Sequence, residues 1–206
     1  SRYANGQTFI LGVAPLCMER VDVAVVGGGP AGTSAGWAAA RQGATTVVLE
    51  KGVPREDREG LGPDSTDAAG MLDYWVDLMD LPIGIPDDVI LRNLDGAAFA
   101  GPTERITIRD TGMKSSYPDF GFTFHRARFD DWLRGRCEDA GAEYRVGTGV
   151  RNIEVDSRDG HTLTLRDGHE IEAEYLILAD GPQRTVTRGV LSRFVPERRL
   201  DNLASN

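Results

Sequence analysis

"VVGGGPAGTSAGWAAARQGATTVVLEK", residues 25–51, decides the fold of this 206-residue chain. It reads as the end of an apolar strand, a glycine turn, an alanine-rich helix and a second strand that finishes on an acid. The first strand, "VDVAVVG" (21–27), is continuously apolar, the pattern of a parallel strand buried on both faces. The helix is expected from 31 to about 42, stopping near Gly43, and "TTVVLE" (45–50) is the next strand. Gly27, Gly29 and Gly32 stand as G-x-G-x-x-G between strand and helix. The first allows a tight turn, the second lets the backbone approach a pyrophosphate, and the third lets helix and strand pack closely. Gly36, one turn later, keeps that packing surface small. The helix N-terminus opens on Pro30, which has no N–H, and from Ala31 onward it presents free N–H groups and the positive end of its dipole to phosphates. Glu50, 23 residues after Gly27, is placed to accept both hydroxyls of a ribose. It would also repel a 2′-phosphate, an effect that the neighbouring Lys51 softens. A strand, a helix and an acid in this register bind a dinucleotide, and by themselves leave FAD and NAD both open.

Beyond Lys51 the pattern weakens. Residues 51–70 are polar and rich in glycine and proline, as in a surface loop. "DAAGMLDYWVDLMD" (67–80) places Met71, Trp75 and Met79 at helical spacing, so a helix with an apolar stripe is expected there. Residues 81–120 read as irregular, with one strand at "RITIRD". Punctuation returns at 120–146, as a short strand and a helix with Phe129, Leu133 and Cys137 on one side and Gly141 as its stop. "AEYRV" is then a third parallel strand. "RNIEVDS", "HTLTLRD" and "HEIEAEYLILAD", separated by Asp159-Gly160 and Asp167-Gly168, form a β-meander whose last strand is apolar enough to re-enter the main sheet. The fold class is α/β, a Rossmann-like domain with a parallel sheet plus a β-meander.

Composition narrows the partners. The formal net charge is −9, from 32 acidic and 23 basic residues. Lys51 and Lys114 are the sole lysines, and aspartate outnumbers glutamate. Such a surface repels phosphate backbones, which argues against a nucleic-acid partner. Carboxylates with few lysine stems suit a salt-rich, halophilic cytoplasm, where self-repulsion is screened; an ordinary acidic protein is the alternative. Cys17 and Cys137 are too few and too far apart for a disulfide framework, which fits a cytoplasmic location. No apolar run reaches the length of a membrane span. Met18 reads as a natural start, with residues 1–17 upstream of it an arm or a translation artefact.

A second signal lies in "EYLILADGPQRTVTR" (174–188), where a buried strand runs into Asp180-Gly181, a turn and a helix. With the first unit it resembles the FAD-dependent oxidoreductases of the glutathione-reductase fold, and among them the geranylgeranyl reductase family and its flavoprotein hydroxylase relatives. "HRARFDDWLRGRCEDAGAEY" (125–144) is similar to that family's Arg-x-x-Phe-Asp-x-x-Leu helix. The resemblance covers about residues 21–190, and it implies FAD as the cofactor. It implies that Gly27, Gly29 and Gly32 hold the pyrophosphate and that Glu50 holds the adenosine ribose. Arg126 would face the phosphates or the ribityl chain, and Val150 would pass the adenine through its backbone. Asp180, with Gly181, would accept from a ribityl or ribose hydroxyl; its alternative is to cap the helix that follows. Two positions depart from the family pattern: its serine after Asp-Gly is Arg184 here, and its arginine falls on Thr187, with Arg188 adjacent. Family members also continue with a Gly-Asp motif and a substrate-holding sheet domain, which are expected to be absent from this chain. The expected organisation is an arm over 1–20, the FAD-binding domain over 21–190 with a loop and helix insertion at about 51–120, and a tail over 191–206.

No residue stands out as a catalytic acid or base. His161 and His169 sit on an expected hairpin without a third metal ligand, so no metal is expected, and solvent-exposed polar residues are the reading there. Asp130-Asp131 is read as a dipole-favoured pair in the first turn of a helix. In flavoenzymes the cofactor carries the redox chemistry, so the lack of such a residue is no obstacle. Three readings stand, and a plain NAD-binding module is disfavoured by the Asp180-Gly181 segment. The first is an FAD-dependent reductase of isoprenoid double bonds in lipid precursors, with a reduced electron donor and peripheral membrane contact. The second is a flavoprotein hydroxylase. The third is a truncated or split chain that binds nucleotide but needs a partner.

Overall fold

The computed structural model describes residues 18–52, 68–72, 85–109, 120–156, 158, 160–182 and 184–194. Residues 1–17 of the expected arm over 1–20, residues 53–67 of the expected loop over 51–70 and the end of the tail from 195 lie outside them.

The quoted stretch folds as it reads. β1 (Glu19–Val26) leads through the glycine turn into α1 (Pro30–Arg41) and then β2 (Thr46–Leu49). Val23 and Val25 of β1 bury on one face and Ala24 and Val26 on the other, so the apolar run has a core on each side. A six-stranded sheet is ordered β8-β2-β1-β11-β10-β9, with β8 (Glu143–Arg145), β9 (Val150–Asp156), β10 (Gly160–Leu165) and β11 (Glu170–Leu178). β8, β2, β1 and β11 run parallel, while β10 and β9 continue antiparallel from β11. The third parallel strand and the returning meander therefore stand as the sequence indicates.

Two helices cover one face. α1 packs with α2 (Arg126–Asp139), and Trp37, Ala40 and Cys137 close over Val23, Val25 and Val48. The contact is close: a Cβ on Gly36 would lie 2.5 Å from Val48 Cγ2 and 3.2 Å from Cys137 Sγ. Burial pushes the Cys137 thiol up to about 11. α3 (Thr185–Leu191) packs against β9 on the other face, with Val190 joining Leu49, Val150 and Ile153.

α2 also anchors a second, three-stranded sheet, ordered β3-β7-β4, from β3 (Ala68–Leu72), β4 (Ile90–Leu94) and β7 (Gly121–His125). Phe122, Phe124, Phe129 and Leu133 form its core, each at most 4% exposed. Burial of each such side chain contributes roughly 1.5–3 kcal/mol. A hairpin of β5 (Gly96–Ala100) and β6 (Arg105–Arg109) follows β4.

Three expectations are corrected here. Residues 68–72 form a strand, not the start of a helix, because Ala68–Leu72 pair residue by residue with His125–Gly121 and this non-local ladder outweighs the helical spacing. The remainder of that stretch, with Trp75 and Met79, lies outside the described residues. The segment read as irregular holds β4 and β5 besides the strand expected at "RITIRD", again because their partners, β7 and β6, supply the pairing. Asp130 sits one full turn into α2 rather than in its first turn, since the helix already begins at Arg126.

Candidate cofactor site

The two loops that the sequence sets more than a hundred residues apart meet in space. Ala179 N–H donates to the Val26 carbonyl at 2.8 Å, extending the β1–β11 ladder to the mouth of the glycine turn. Gly27 has φ +106°, and a Cβ there would overlap the Ala179 carbonyl and lie 3.0 Å from Asp180 Cα. Only glycine satisfies both demands. Gly32 is equally confined, since its Cβ would overlap the Gly27 carbonyl, whereas a Cβ on Gly29 would meet nothing within 4 Å. The first and third glycines thus serve the turn and the helix contact, and the second faces open space.

The turn is held from three sides. Glu50 accepts Gly28 N–H at 2.7 Å through one carboxylate oxygen and Gly52 N–H at 2.6 Å through the other. The Gly28 carbonyl accepts from the Thr33 hydroxyl at 3.0 Å and from the Tyr144 hydroxyl. Tyr144 comes from β8, paired opposite Val48 of β2, and burial pushes its hydroxyl up to about 12, so it stays a neutral donor at physiological pH. Gly28 is as constrained as the motif glycines: a Cβ would overlap the Tyr144 hydroxyl and lie 2.7 Å from Glu50 Cβ.

Asp180 caps the helix that follows it. Arg184, the residue before α3, is in the left-handed region (φ 47°, ψ 38°) and gives no side-chain cap. Asp180 instead accepts Val186 N–H at 2.7 Å, Thr187 N–H at 3.1 Å and the Thr187 hydroxyl. Thr187, which replaces the family's arginine, is thus tied to the acid of the Asp-Gly motif.

A cleft of about 450 Å³ opens at the C-terminal ends of β1 and β2, where the chain passes to β2 on one side of β1 and to β11 on the other. That topological switch point is the usual ligand crevice of open α/β sheets. Gly27, Glu50, Lys51, Val150 and Asp180, all singled out from the sequence, line it. Its floor is apolar, from Val26, Leu49 and Ile153, with Val186 and Val190 of α3 as a wall. Lys51, Arg151, Arg166 and Arg193 surround it against Glu50 and Asp180, a cationic surplus in a chain of net charge −9. The four basic side chains outnumber the two acids, so an anion would meet a net positive field.

Other expected residues fall elsewhere. Arg126 does not line the cleft; its Nε donates to both Asp130 oxygens, at 2.8 and 3.0 Å. Gly29, Pro30, Ala31, Gly32 and Gly181 flank the turns without lining the cleft wall. His161 is half-buried with Nδ1 unpartnered, contrary to the exposed hairpin reading, because β10 turns it to the same side as the buried Leu163 and Leu165. His169 is exposed and pairs with Asp167 at 3.1 Å. Among the described residues no three potential metal ligands gather, and no helix is long and apolar enough to cross a membrane.

Gly28, Thr33, Tyr144, Arg151, Arg166 and Arg193 are site residues that sequence reasoning passed over. Gly28 was legible as the middle of a glycine triplet and Arg151 as the neighbour of Val150; nothing local marks Tyr144.

Known proteins agree with this geometry. The profile of the family described as FAD dependent oxidoreductase matches residues 22–181. The chain is 31% identical over 176 residues to digeranylgeranylglycerophospholipid reductase 2 of Methanopyrus kandleri, covering 81% of this chain and 39% of that protein. Among solved structures, a geranylgeranyl bacteriochlorophyll reductase-like protein from Thermoplasma acidophilum superposes with a TM-score of 0.67 at 25% identity, over 84% of this chain and 42% of the other. The anhydrotetracycline hydroxylase OxyS of Streptomyces rimosus gives 0.65 at 27% identity, over 84% and 34%. The chain therefore spans about two fifths of the length of digeranylgeranylglycerophospholipid reductases 1 and 2 of Methanopyrus kandleri. With strand, glycine turn, acid and Asp-Gly loop joined at one cleft and the profile running through all of them, the chain belongs to the FAD-dependent oxidoreductase family, and FAD is its cofactor.

Proposed function

We propose that this chain is the FAD-holding part of an oxidoreductase that reduces isoprenoid double bonds of lipid precursors, such as geranylgeranyl groups. One observation carries the reading: the glycine turn and the Asp180 loop abut and open on a single cationic cleft at the switch point of the sheet. The residues fit FAD. The open space at Gly29 and the first turn of α1, with Pro30, Ala31 and Gly32, suit a pyrophosphate, and the basic rim neutralises its charge. Glu50 and Lys51, which line the cleft, would hold the adenosine ribose, and Val150, which also lines it, would offer backbone to the adenine. Asp180 and Gly181 are proposed for the ribityl side; Asp180 keeps acceptor capacity beyond its helix-capping bonds. Arg126 is proposed, on the resemblance of its helix, to face the phosphates or the ribityl chain.

Bound FAD supplies two-electron redox chemistry. The chain's own residues bind the cofactor and neutralise its phosphates. The isoprenoid substrate class is supported by likeness to the Methanopyrus reductase. With it go a reduced electron donor, peripheral contact with lipid surfaces and a cytoplasmic setting. A hydroxylase is the second reading, supported by the OxyS likeness.

The purified chain is expected to be yellow, with a bound-flavin spectrum, or to recover one on adding FAD. A colourless chain that FAD cannot restore overturns the reading. Chemically reduced holoprotein, given a geranylgeranyl lipid without oxygen, is expected to add a hydrogen pair per double bond by mass spectrometry. Turnover that instead needs oxygen and yields a hydroxylated product selects the second reading.

A further inference from the structure

Gly28 belongs to two consecutive peptides, and both are fixed by side chains from outside the turn. The 27–28 peptide is held through its N–H by Glu50, at the end of β2. The 28–29 peptide is held through its carbonyl by two hydroxyls, Thr33 of α1 and Tyr144 of β8. Those hydroxyls lie 3.4 Å apart and together occupy both acceptor positions of the oxygen. In a planar trans peptide the carbonyl and the following N–H point in opposite directions, and among the described residues no peptide is cis. A Gly28 carbonyl drawn toward β8 therefore sends Gly29 N–H the other way, to the side where a Cβ on Gly29 meets nothing within 4 Å.

A glycine-glycine peptide is free to rotate unless something outside it intervenes. We infer that Tyr144 is a positioning residue for the cofactor: its hydroxyl, with that of Thr33, fixes the 28–29 peptide so that Gly29 N–H is already aimed at the pyrophosphate. The inference rests on the FAD reading above and deepens it. Packing alone would not require the hydroxyl. The ring contributes to the α1–α2 core and lies 5.3 Å from the Arg134 guanidinium, contacts a phenylalanine would keep. What the hydroxyl adds is a fixed peptide orientation, which lowers the ordering cost of binding.

The test titrates the full chain with FAD, with ADP as the smallest probe bearing the pyrophosphate, and with adenosine, which lacks it. Tyr144→Phe is expected to raise the dissociation constants of FAD and ADP about tenfold and to leave that of adenosine unchanged. Thr33→Val, nearly isosteric, is expected to shift the same two ligands in the same direction, and carries the test if Tyr144→Phe does not fold. If both variants bind ADP and FAD like the parent, or if adenosine weakens equally, the positioning role is overturned while the cofactor reading stands. A parent chain that binds neither FAD nor ADP overturns both.

Discussion

Gly28 shows how much one missing methyl group decides here. The motif names its neighbours, Gly27 and Gly29, for backbone shape and for access, but Gly28 is glycine for want of space. Tyr144, Thr33 and Glu50 converge on its two polar groups, and they can do so only because no side chain stands between them. Gly28→Ala would press a methyl onto the Tyr144 hydroxyl and against Glu50 Cβ, 2.7 Å away. The turn would have to open, and the variant is expected to lose bound flavin at purification, read as the ratio of flavin to protein absorbance. Retained stoichiometry would show that the turn has slack. Glu50 has a double use at this scale, since the carboxylate read from the sequence as a ribose acceptor also ties the turn to the chain after β2. A substitution there acts on the turn before it acts on any ribose.

At the scale of elements, α3 depends on an acid outside it. Seven residues are too few for a helix to persist by propensity, and its own first residue neighbour, Arg184, offers no cap. Asp180 binds the amides of Val186 and Thr187 and so joins the helix to the end of β11. Asp180→Ala is expected to lower stability by about 1 kcal/mol, measured by urea unfolding of the flavin-free protein. Asp180→Asn, which keeps an acceptor oxygen, should lose less; equal losses would remove the capping account. The same scale explains the strands that the sequence did not reveal. Ala68–Leu72 carries helical spacing and no strong β pattern, yet Gly121–His125 offers it a complete ladder and Phe122 and Phe124 a core. Local propensity is a weak guide where a partner so distant in sequence decides the outcome.

For the whole molecule, the distribution of charge matters more than its sum. The chain carries −9 overall, yet the cleft gathers Lys51, Arg151, Arg166 and Arg193, so an anionic cofactor meets a cationic mouth in an acidic body. Self-repulsion of the acidic surface is expected to ease with salt, raising the melting temperature of the apo-protein by several degrees between about 0.1 and 2 M KCl. A flat or falling melting curve across that range would count against the salt-adapted reading. The unit at 21–51, the helix and strand at 126–145, the meander and the Asp-Gly loop are legible along the chain, because each is written in local periodicity, glycine punctuation or the acid that ends a strand. Tertiary structure alone decided that Ala68–Leu72 is a strand, that Arg126 pairs with Asp130, that Asp180 caps α3, and that Tyr144 reaches the glycine turn from 116 residues away. Those outcomes depend on which backbone groups and charges lie within hydrogen-bonding distance once the sheet is assembled, and spacing along the chain carries no record of that.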